Sequence, residues 1–276
     1  MQPFISVIIP CRNEERYISR CLESIFQTSY PVERMEILIV DGASEDKTSE
    51  IIKTYIHAYP FIKLLTNPKK ITPVALNIAI AASKGDYIIR LDAHTYYPPD
   101  YFSQLIGESM RLNAENVGCI WITDVLHKTP VSISIRNVLR DPLGVGNALF
   151  RIGITETMQV DTVPFGCFRR DVFTKYGLFD ERLVRNQDIE FNKRIVRGGG
   201  TIYLIAGLSC IYYARESYRE LASNNYQNGY WNILTPYYTG TFSSLSLRHF
   251  VPLVFVLSLI LPILLSMLYP FLLWIW

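Results

Sequence analysis

The feature that most constrains the fold is an alternation of short apolar runs with amphipathic helical stretches over roughly the first third of the chain. Helical periodicity places apolar residues of an intervening stretch, such as those of 17–26, on one face. Strands separated by such helices are typical of right-handed βαβ units. We therefore predict an α/β domain with a mostly parallel, Rossmann-like sheet flanked by helices. The predicted strands are Ile5–Pro10, Met35–Val40, Ile62–Thr66 and Tyr87–Leu91.

Polar clusters follow three of these predicted strands. They are Arg12-Asn13-Glu14, Asp41-Gly42-Ala43-Ser44 and Asp92-Ala93-His94. Ligands of open parallel sheets bind beyond the carboxyl ends of the strands, so the clusters predict one site. The chain contains neither G-x-G-x-x-G nor G-x-x-x-x-G-K-S/T, which excludes the usual glycine-rich phosphate cradles. We expect a phosphate ligand to be neutralised by a metal ion instead.

Asp92 and His94 are the candidate metal ligands. Residues two apart on a strand point to the same side, so the carboxylate and the imidazole can converge on one ion. Mn²⁺ and Mg²⁺ both suit such ligands when they also hold substrate phosphates. The alternative is a strand end whose polar residues begin a turn, aided by Pro98-Pro99. The residues alone leave both interpretations open.

The second half of the chain is less regular. We predict a strand-like segment at Asp161–Phe168, a short helix at Arg170–Tyr176 and a longer helix that stops at Gly198-Gly199-Gly200. Asp188 and Glu190 fall near the start of that longer helix. Carboxylates there complement the helix dipole, which is the simpler explanation. The functional alternative is that one of them is a general base facing the metal site.

The C-terminal segment differs in kind, because no charged residue occurs from 250 to 276. We predict a transmembrane segment at 249–276, preceded by an amphipathic, interfacial linker at 216–248. The alternative is a buried pair of short helices broken at Pro262. Arg248 just before the apolar run favours a cytosolic catalytic domain at the cell (inner or plasma) membrane. Because the run still continues at Trp276, we expect further membrane segments beyond it.

Net charge and cysteine usage narrow the class of partner and the redox compartment of the protein. A formal net charge of +2 gives no electrostatic case for nucleic acid as a partner. The five cysteines are scattered, without C-x-x-C spacing. This pattern favours buried thiols in a reducing compartment over a disulfide framework or a zinc site.

Taken together, these segments resemble the large inverting family-two glycosyltransferases with the GT-A nucleotide-sugar fold, over about residues 4–215. The motifs that carry the resemblance are 7–14 (VIIPCRNE), 39–46 (IVDGASED), 89–94 (IRLDAH) and 186–188 (NQD). Residues 164–170 and 183–188 are closest to the ExoA-like branch, membrane-associated enzymes of exopolysaccharide assembly such as the succinoglycan glucosyltransferase.

The resemblance implies a role for each matching residue. The uracil and ribose of a UDP-sugar would be held by residues after the first two strands and in the third helix, namely Pro10, Arg12, Glu14, Asp41 and Asn77. Asp92-Ala93-His94 stands where the family has D-x-D, so Asp92 would bind ribose and, with His94, the Mn²⁺ or Mg²⁺ of the diphosphate. Asp188, in Gln187-Asp188 where the family has Glu-Asp, would be the catalytic base. Here His replaces the second Asp of the first motif, and Gln replaces the Glu of the second.

The implied activity is membrane-associated, inverting transfer of a hexose such as glucose from a UDP-sugar to a lipid-linked saccharide acceptor. Processive relatives carry Q-x-x-R-W, whereas this chain has Gln227-Asn228-Gly229-Tyr230-Trp231 and does not predict a processive polymerase. Arg136, Arg140 and Arg151 could meet a lipid pyrophosphate, although a solvated basic face explains them equally well. Two alternatives remain: a polyprenyl-phosphate glycosyltransferase, and a non-catalytic UDP-binding membrane scaffold. A nucleotidyltransferase is disfavoured because the loop after the first strand is not glycine-rich.

Overall fold

The computed structural model describes residues 2–266, apart from the side chains of Leu247 and Arg248. Strands and helices alternate along the first third of the chain, as predicted. The strands are β1 (Ile5–Cys11), β2 (Met35–Asp41), β3 (Ile62–Thr66), β4 (Tyr87–Arg90), β5 (Thr95–Tyr96), β6 (Asn116–Asp124), β7 (Met158–Gln159), β8 (Cys167–Arg169) and β9 (Ile202–Tyr213). The helices are α1 (Ile18–Phe26), α2 (Thr48–Ala58), α3 (Thr72–Ala82), α4 (Tyr101–Leu112), α5 (Pro130–Val138), α6 (Pro142–Val145), α7 (Leu149–Ile152), α8 (Asp171–Tyr176), α9 (Gln187–Arg197), α10 (Tyr218–Thr239) and α11 (Val251–Ser266).

The strands form one sheet in the order β3-β2-β1-β4-β8-β6-β9-β5, with β7 paired to β9. Strands β1 to β4 are mutually parallel, which confirms the βαβ prediction for the first third of the chain. The rest of the sheet is mixed, because β8 runs antiparallel to both β4 and β6, whereas β6 and β9 are parallel. The described sheet therefore combines four parallel strands at one end with a mixed remainder.

The strand predicted at Asp161–Phe168 is wrong over most of its length. Only Cys167–Arg169 pairs in the sheet, as β8. Phe165 and Gly166 both have positive φ, so the chain turns sharply there instead of extending. The two longest of the described strands, β6 and β9, lie in two separate stretches for which we predicted no strand from the sequence.

The core lies on both faces of the parallel strands. Every residue of β2 is buried, as expected for a strand covered by helices on both sides. On one face, the odd-numbered residues of β1 pack with α1 and α4, and on the other face Ile8 packs with α3 and α9. All five cysteines are buried and unpaired, as predicted. This packing holds the carboxyl ends of β1, β2 and β4 at one edge.

Beyond the sheet, α10 is a 22-residue helix and α11 a 16-residue apolar helix. Within residues 2–266, none of the helices combines the length and apolar character needed to cross a bilayer. The predicted transmembrane segment at 249–276 is thus not supported where it is described, and its last ten residues lie outside the described part of the chain. β9 ends at Tyr213 and α10 begins at Tyr218, on either side of the predicted boundary between 215 and 216.

Candidate active site

A buried arginine joins the two carboxylates that the sequence singled out. The two terminal nitrogens of Arg90 lie 3.4 Å from Asp92 Oδ1 and 3.3 Å from Asp188 Oδ2. The Arg90 side chain is 7% exposed, whereas those of Asp92 and Asp188 are 20% and 31% exposed. Burial alone would lower the pKa of Arg90, but the two carboxylates outweigh burial and raise it. Arg90 therefore carries a fixed positive charge between two partly accessible acids.

Asp92 is positioned by the end of β4 and by a tyrosine. β4 places Arg90 at its last residue, and the backbone N–H of Arg90 donates to the carbonyl of Gly166. Two residues later, the backbone N–H of Asp92 donates to the Tyr97 hydroxyl at 2.9 Å. Tyr97 is fully buried, so the backbone at Asp92 is anchored to the core. These contacts leave the second carboxylate oxygen of Asp92 available to a ligand.

His94 contacts a carboxylate of the protein, and its role as a metal ligand stays a prediction. Its Nδ1 lies 3.4 Å from Glu14 Oε1, and its ring meets that of Tyr212 edge to face. Burial alone would lower the pKa of His94, but Glu14, Tyr212 and Asp92 outweigh it and raise the pKa to about 9. At neutral pH the imidazole is then protonated, and a protonated imidazole has no lone pair for a metal.

Asp188 lies in the first turn of α9, with its Oδ1 accepting a hydrogen bond from the Ile189 N–H. Asn186, the residue immediately before α9, adopts a left-handed conformation with φ of 61°, which asparagine tolerates better than most residues. Both interpretations of Asp188 thus have a structural basis, since the carboxylate lies in the first turn of a helix and also faces Arg90. The neighbouring Glu190 instead pairs with Arg194 one turn later.

The loop before Asp188 is held by the polar face of α10. One terminal nitrogen of Arg185 donates to Asn224 Oδ1 and Asn228 Oδ1, both at 2.8 Å. The Asn186 side-chain amide donates to Asn232 Oδ1 at 3.1 Å and to Thr235 Oγ1 at 3.2 Å. At about 100° per residue, these four partners on α10 fall on one face of the helix. The face fixes the backbone from which Asp188 projects.

The residues predicted to hold the nucleoside lie together at the ends of β1 and β2. Cys11 and Asp41 are register partners in the sheet, so Pro10 near the end of β1, and Arg12 and Glu14 just after it, lie beside the end of β2. The Asp41 carboxylate accepts hydrogen bonds from the backbone N–H and the hydroxyl of Ser44, which closes a tight turn. The structure therefore brings these residues together, and their contact with a nucleotide stays a prediction.

Asn77 is engaged elsewhere. Its side-chain nitrogen donates to the Phe179 carbonyl at 2.9 Å and to Glu181 at 3.3 Å, and its oxygen accepts from the Phe179 N–H at 3.1 Å. Asn77 on α3 thus fixes the backbone of the loop that leads to α9. The prediction that it contacts the nucleotide stays a prediction, and this geometry favours a positioning role.

A divalent cation fits one of the two predicted ligands. Asp92 offers a partly exposed carboxylate oxygen, and Mg²⁺ is commonly held by one or two carboxylates plus substrate phosphates. His94 would have to leave Glu14 and lose its proton before it could bind a metal. No cluster of three or more histidine, cysteine or acidic residues within 2–266 forms a metal cage of its own. The donor set therefore suits a metal that arrives with a diphosphate.

Two parts of this site were not identified from the sequence. Arg90 stands inside one of the motifs, but an arginine at a strand end carries no signal of its own. The asparagines of α10 recur at intervals of four residues from Asn224 to Asn232, which is a readable helical stripe. What the sequence could not indicate is that this stripe faces the loop before Asp188.

The chain matches one protein family over much of its length. Residues 6–177 match the family described as Glycosyl transferase family 2. Over 247 residues the chain is 32% identical to the dolichyl N-acetyl-alpha-D-glucosaminyl phosphate 3-beta-D-2,3-diacetamido-2,3-dideoxy-beta-D-glucuronosyltransferase of Methanococcus voltae, covering 84% of this chain and 76% of that protein. It is 28% identical over 211 residues to the succinoglycan biosynthesis protein ExoA of Rhizobium meliloti, covering 76% of this chain and 63% of that protein.

Solved structures share the fold. TarS of S. aureus, residues 1–349 in complex with UDP-GlcNAc, superposes with a TM-score of 0.59 at 18% identity, covering 78% of this chain and 59% of that one. The mannosyltransferase PcManGT of Pyrobaculum calidifontis, in complex with GDP-Man and Mn²⁺, gives 0.59 at 20% identity, covering 79% and 59%. At these identities the likeness is one of fold alone. With its GT-A fold and the match over residues 6–177, the chain belongs to glycosyl transferase family 2.

Proposed function

We propose that this protein transfers a hexose from a UDP-sugar, with inversion, to a lipid-linked saccharide acceptor at a membrane surface. The observation that carries the proposal is the Arg90 bridge. It joins Asp92, at the edge where strands of this fold bind nucleotides, to Asp188 on α9. A donor-side carboxylate and a candidate base thereby share one buried cation.

The chemistry requires a base and a stabilised leaving group. An acceptor hydroxyl is a weak nucleophile until a base within hydrogen-bond reach removes its proton. Asp188 is 31% exposed and its Oδ2 is oriented by Arg90, so it can accept that proton as the hydroxyl attacks the anomeric carbon. The bond to the nucleoside diphosphate breaks as the new glycosidic bond forms. Because Asp188 is one carboxylate acting on the acceptor, a single displacement with inversion follows.

A divalent cation, when bound, would stabilise the negative charge that develops on the departing diphosphate. Asp92 would hold it through its second carboxylate oxygen, together with the phosphates of the donor. Among structures with this fold, PcManGT is described in complex with GDP-Man and Mn²⁺, which supports metal use without naming the metal here.

Membrane association is supported by the outer face of α10. Tyr226, Tyr230, Ile233 and Tyr237 recur at helical spacing opposite the asparagine face and are 50% to 77% exposed. Tyrosines at such a surface suit the headgroup region of a bilayer. Most of the apolar side chains of the adjacent α11 are exposed as well. We propose that these surfaces hold the catalytic domain against the cytosolic side of the cell membrane.

A lipid-linked acceptor follows from that placement. The M. voltae relative is named for transfer to a dolichyl-linked sugar phosphate, and ExoA is named for succinoglycan biosynthesis. An active site held near the headgroups would meet acceptors of this kind. The exposed tyrosine face and these relatives support the proposal together.

The test is transfer by membranes that contain the protein, supplied with labelled UDP-sugars and GDP-mannose in turn and with Mn²⁺ or Mg²⁺. We expect one UDP-sugar to label the lipid fraction. Asp188→Asn should reduce the rate about 10³-fold, as loss of a general base does, while UDP binding is retained. The matched control is Asp171→Asn, which removes an exposed carboxylate paired with Arg169 away from the site.

Product analysis separates the alternatives. Sugar attached to an existing lipid-linked saccharide supports the proposal, whereas sugar attached directly to the carrier phosphate indicates a polyprenyl-phosphate glycosyltransferase. UDP binding without transfer under either metal, when the acceptor lipid is supplied, would indicate the binding scaffold. Equal loss of UDP binding and transfer in Asp188→Asn would show that Asp188 is structural.

A further inference from the structure

A cavity away from the Arg90 bridge is bordered by α9 and by the segment that joins α10 to α11. Its volume is about 660 Å³, which is within the range typical of small-molecule sites. Residues of α7, β7, α9 and β9 line it, together with residues from the segment 242–246. None of the described residues that line it belongs to the Arg90 bridge or to the ends of β1 and β2. We refer to this space as the α9 cavity.

The α9 cavity contains an ion pair that is formed within the protein. Lys193 Nζ lies 2.9 Å from Asp161 Oδ2, and the Ser246 hydroxyl donates to the same carboxylate oxygen. The Lys193 and Asp161 side chains are 19% and 33% exposed, so both are partly buried. Because the two charges offset each other, the pair offers little net attraction to a phosphate or to a metal ion. A neutral ligand therefore suits the cavity better than an ion.

Two amide side chains at the α9 cavity have no hydrogen bond to the rest of the described chain. They are Asn147, which precedes α7, and Gln159 on β7, and both are exposed. Each amide has a carbonyl oxygen that accepts hydrogen bonds and an NH₂ group that donates them. A ligand whose groups both donate and accept, as hydroxyls do, matches these two side chains.

The rest of the lining is largely apolar and includes two aromatic rings. Phe150 is half-buried, whereas Phe242 is 76% exposed. A sugar ring can pack its C–H face on such side chains while its hydroxyl groups bond to the polar ones. A hydrocarbon chain would contact only the apolar residues and would remove water from the amides and the ion pair without replacing its hydrogen bonds. The composition of the cavity therefore favours a saccharide over a lipid chain.

The α9 cavity shares a helix with the candidate base. Lys193 follows Asp188 by five residues, which corresponds to a rise of about 8 Å along α9. Asn192, one turn after Asp188, donates to Thr162 Oγ1 in the cavity wall at 2.8 Å. The wall and the helix that carries the base are thus held together by a buried hydrogen bond. A ligand in the cavity would lie beside that helix.

The α9 cavity also borders the segment that leads to α11. Leu245 and Ser246 line the cavity and are buried, and α11 begins at Val251. The exposed apolar side chains of α11 belong to the surface that we propose to face the membrane. The cavity therefore lies between the helix of the candidate base and this surface, as expected for the part of an acceptor nearest its lipid carrier.

We propose that the α9 cavity is a subsite for a neutral sugar residue of the acceptor, located between the sugar that is glycosylated and the lipid carrier. This inference rests on the proposed function, since it specifies the acceptor of that reaction. The preferred acceptor then carries at least two sugars. A preceding glycosyl transfer to the lipid-linked sugar must supply it.

The test measures saccharide binding without turnover, with the full chain in detergent. The probes are an array of hexyl glycosides, namely mono- and disaccharides of neutral hexoses and N-acetylhexosamines, together with UDP and farnesyl monophosphate. We expect at least one disaccharide to bind about tenfold more tightly than its component monosaccharides, as a few added neutral hydrogen bonds would produce. Gln159→Trp, which places an indole in the cavity, should remove this difference while UDP binds as before. Gln159→Ala should weaken binding of the disaccharide about three- to tenfold.

The matched control is Met158→Trp. Met158 precedes Gln159 on β7, is 41% exposed and points to the other side of the strand. The substitution adds the same bulk outside the cavity. Binding of the disaccharide should therefore match that of the wild type.

Three results would overturn the subsite. These are disaccharides that bind no more tightly than monosaccharides across the array, an equal loss in Met158→Trp, and binding of farnesyl monophosphate that Gln159→Trp removes in place of saccharide binding. The last result would assign the cavity to the lipid carrier. Asp188→Asn should bind the disaccharide as the wild type does. Failure of the transferase assay with Gln159-dependent disaccharide binding intact would therefore count against the proposed function and not against saccharide binding in the cavity.

Discussion

The two carboxylates that Arg90 joins come from regions that are built differently. Asp92 follows β4 within the parallel strands β1 to β4, where each strand is preceded or followed by its own helix. We call this region the donor half. Asp188 belongs to what we call the acceptor half, in which β8, α9 and α10 meet through contacts between residues far apart in sequence. The difference suggests that the donor half positions its residues by strand register and the acceptor half by side-chain hydrogen bonds.

The largest effect should come from the residue that joins the halves. Arg90→Met removes the cation that both carboxylates share, so we expect a loss of about 100-fold or more in kcat/KM, together with weaker UDP binding. Arg90→Lys should retain only part of the kcat/KM and UDP affinity that Arg90→Met loses, because an ammonium group has no planar fork with which to bridge two carboxylates. Steady-state kinetics and UDP titration measure both effects. A loss confined to kcat would show that Arg90 serves the acceptor half alone.

The next effect separates the two predicted metal ligands within the donor half. Asp92→Asn should weaken metal-dependent UDP binding about tenfold or more, because it removes the available carboxylate. His94→Gln should leave the metal response nearly unchanged, since His94 is paired with Glu14. Isothermal titration with UDP, with and without Mn²⁺, compares the variants. If His94→Gln removes the metal response instead, His94 is a ligand as the sequence predicted.

A smaller effect is expected from loosening the acceptor half. Asn224→Ala combined with Asn228→Ala frees Arg185 and the loop before Asp188, so we expect kcat/KM for the acceptor to fall about tenfold with UDP affinity intact. Asn225→Ala, at an exposed position on the same helix, is the control. Rates at varied acceptor concentration provide the readout. An equal fall in UDP affinity would mean that the halves are not independent.

The smallest effect concerns the outer face of α10. Replacement of Tyr226, Tyr230 or Tyr237 by serine should weaken binding to anionic lipid vesicles about three- to tenfold each, as expected for loss of a buried aromatic ring at the interface. Transfer to a detergent-solubilised acceptor should not change. Met110→Ser, at an exposed apolar residue of α4, controls for general loss of hydrophobicity. Vesicle co-sedimentation measures the binding, and unchanged binding in all three tyrosine variants would contradict the proposed membrane face.

Much of the donor half could be predicted because its signals are local. Strands such as Met35–Val40 are recognisable as apolar runs between turns. In the structure that strand includes one further residue, Asp41. The clusters after β1 and β2 were placed at one edge correctly, because parallel strands end on the same side. The role of His94 as a metal ligand stays a prediction. Alternation predicts the side to which a residue points, but Glu14 from another loop determined its partner.

The acceptor half was harder to predict because its strands and partners depend on distant residues. β6 and β9 pair across a separation of more than eighty residues, so their pairing cannot be recognised from either segment alone. The turn at Phe165 and Gly166 shortened the predicted strand at 161–168. Asp188 was singled out through family resemblance, since from the spacing alone a carboxylate that complements the helix dipole was the simpler explanation.

The sequence alone determined the class of fold and the edge of the sheet at which the polar clusters after β1, β2 and β4 meet, and family resemblance added Asp188 to the candidate residues. Periodicity, turn residues and motif spacing are local properties of the sequence, so they can be recognised without the tertiary structure. Only the tertiary structure showed that Arg90 lies between Asp92 and Asp188, that His94 pairs with Glu14 and that α10 directs its asparagines inward. Charged and polar partners are decided by which side chains meet after folding, because a hydrogen bond or ion pair forms only over a few ångströms, whatever the separation in sequence.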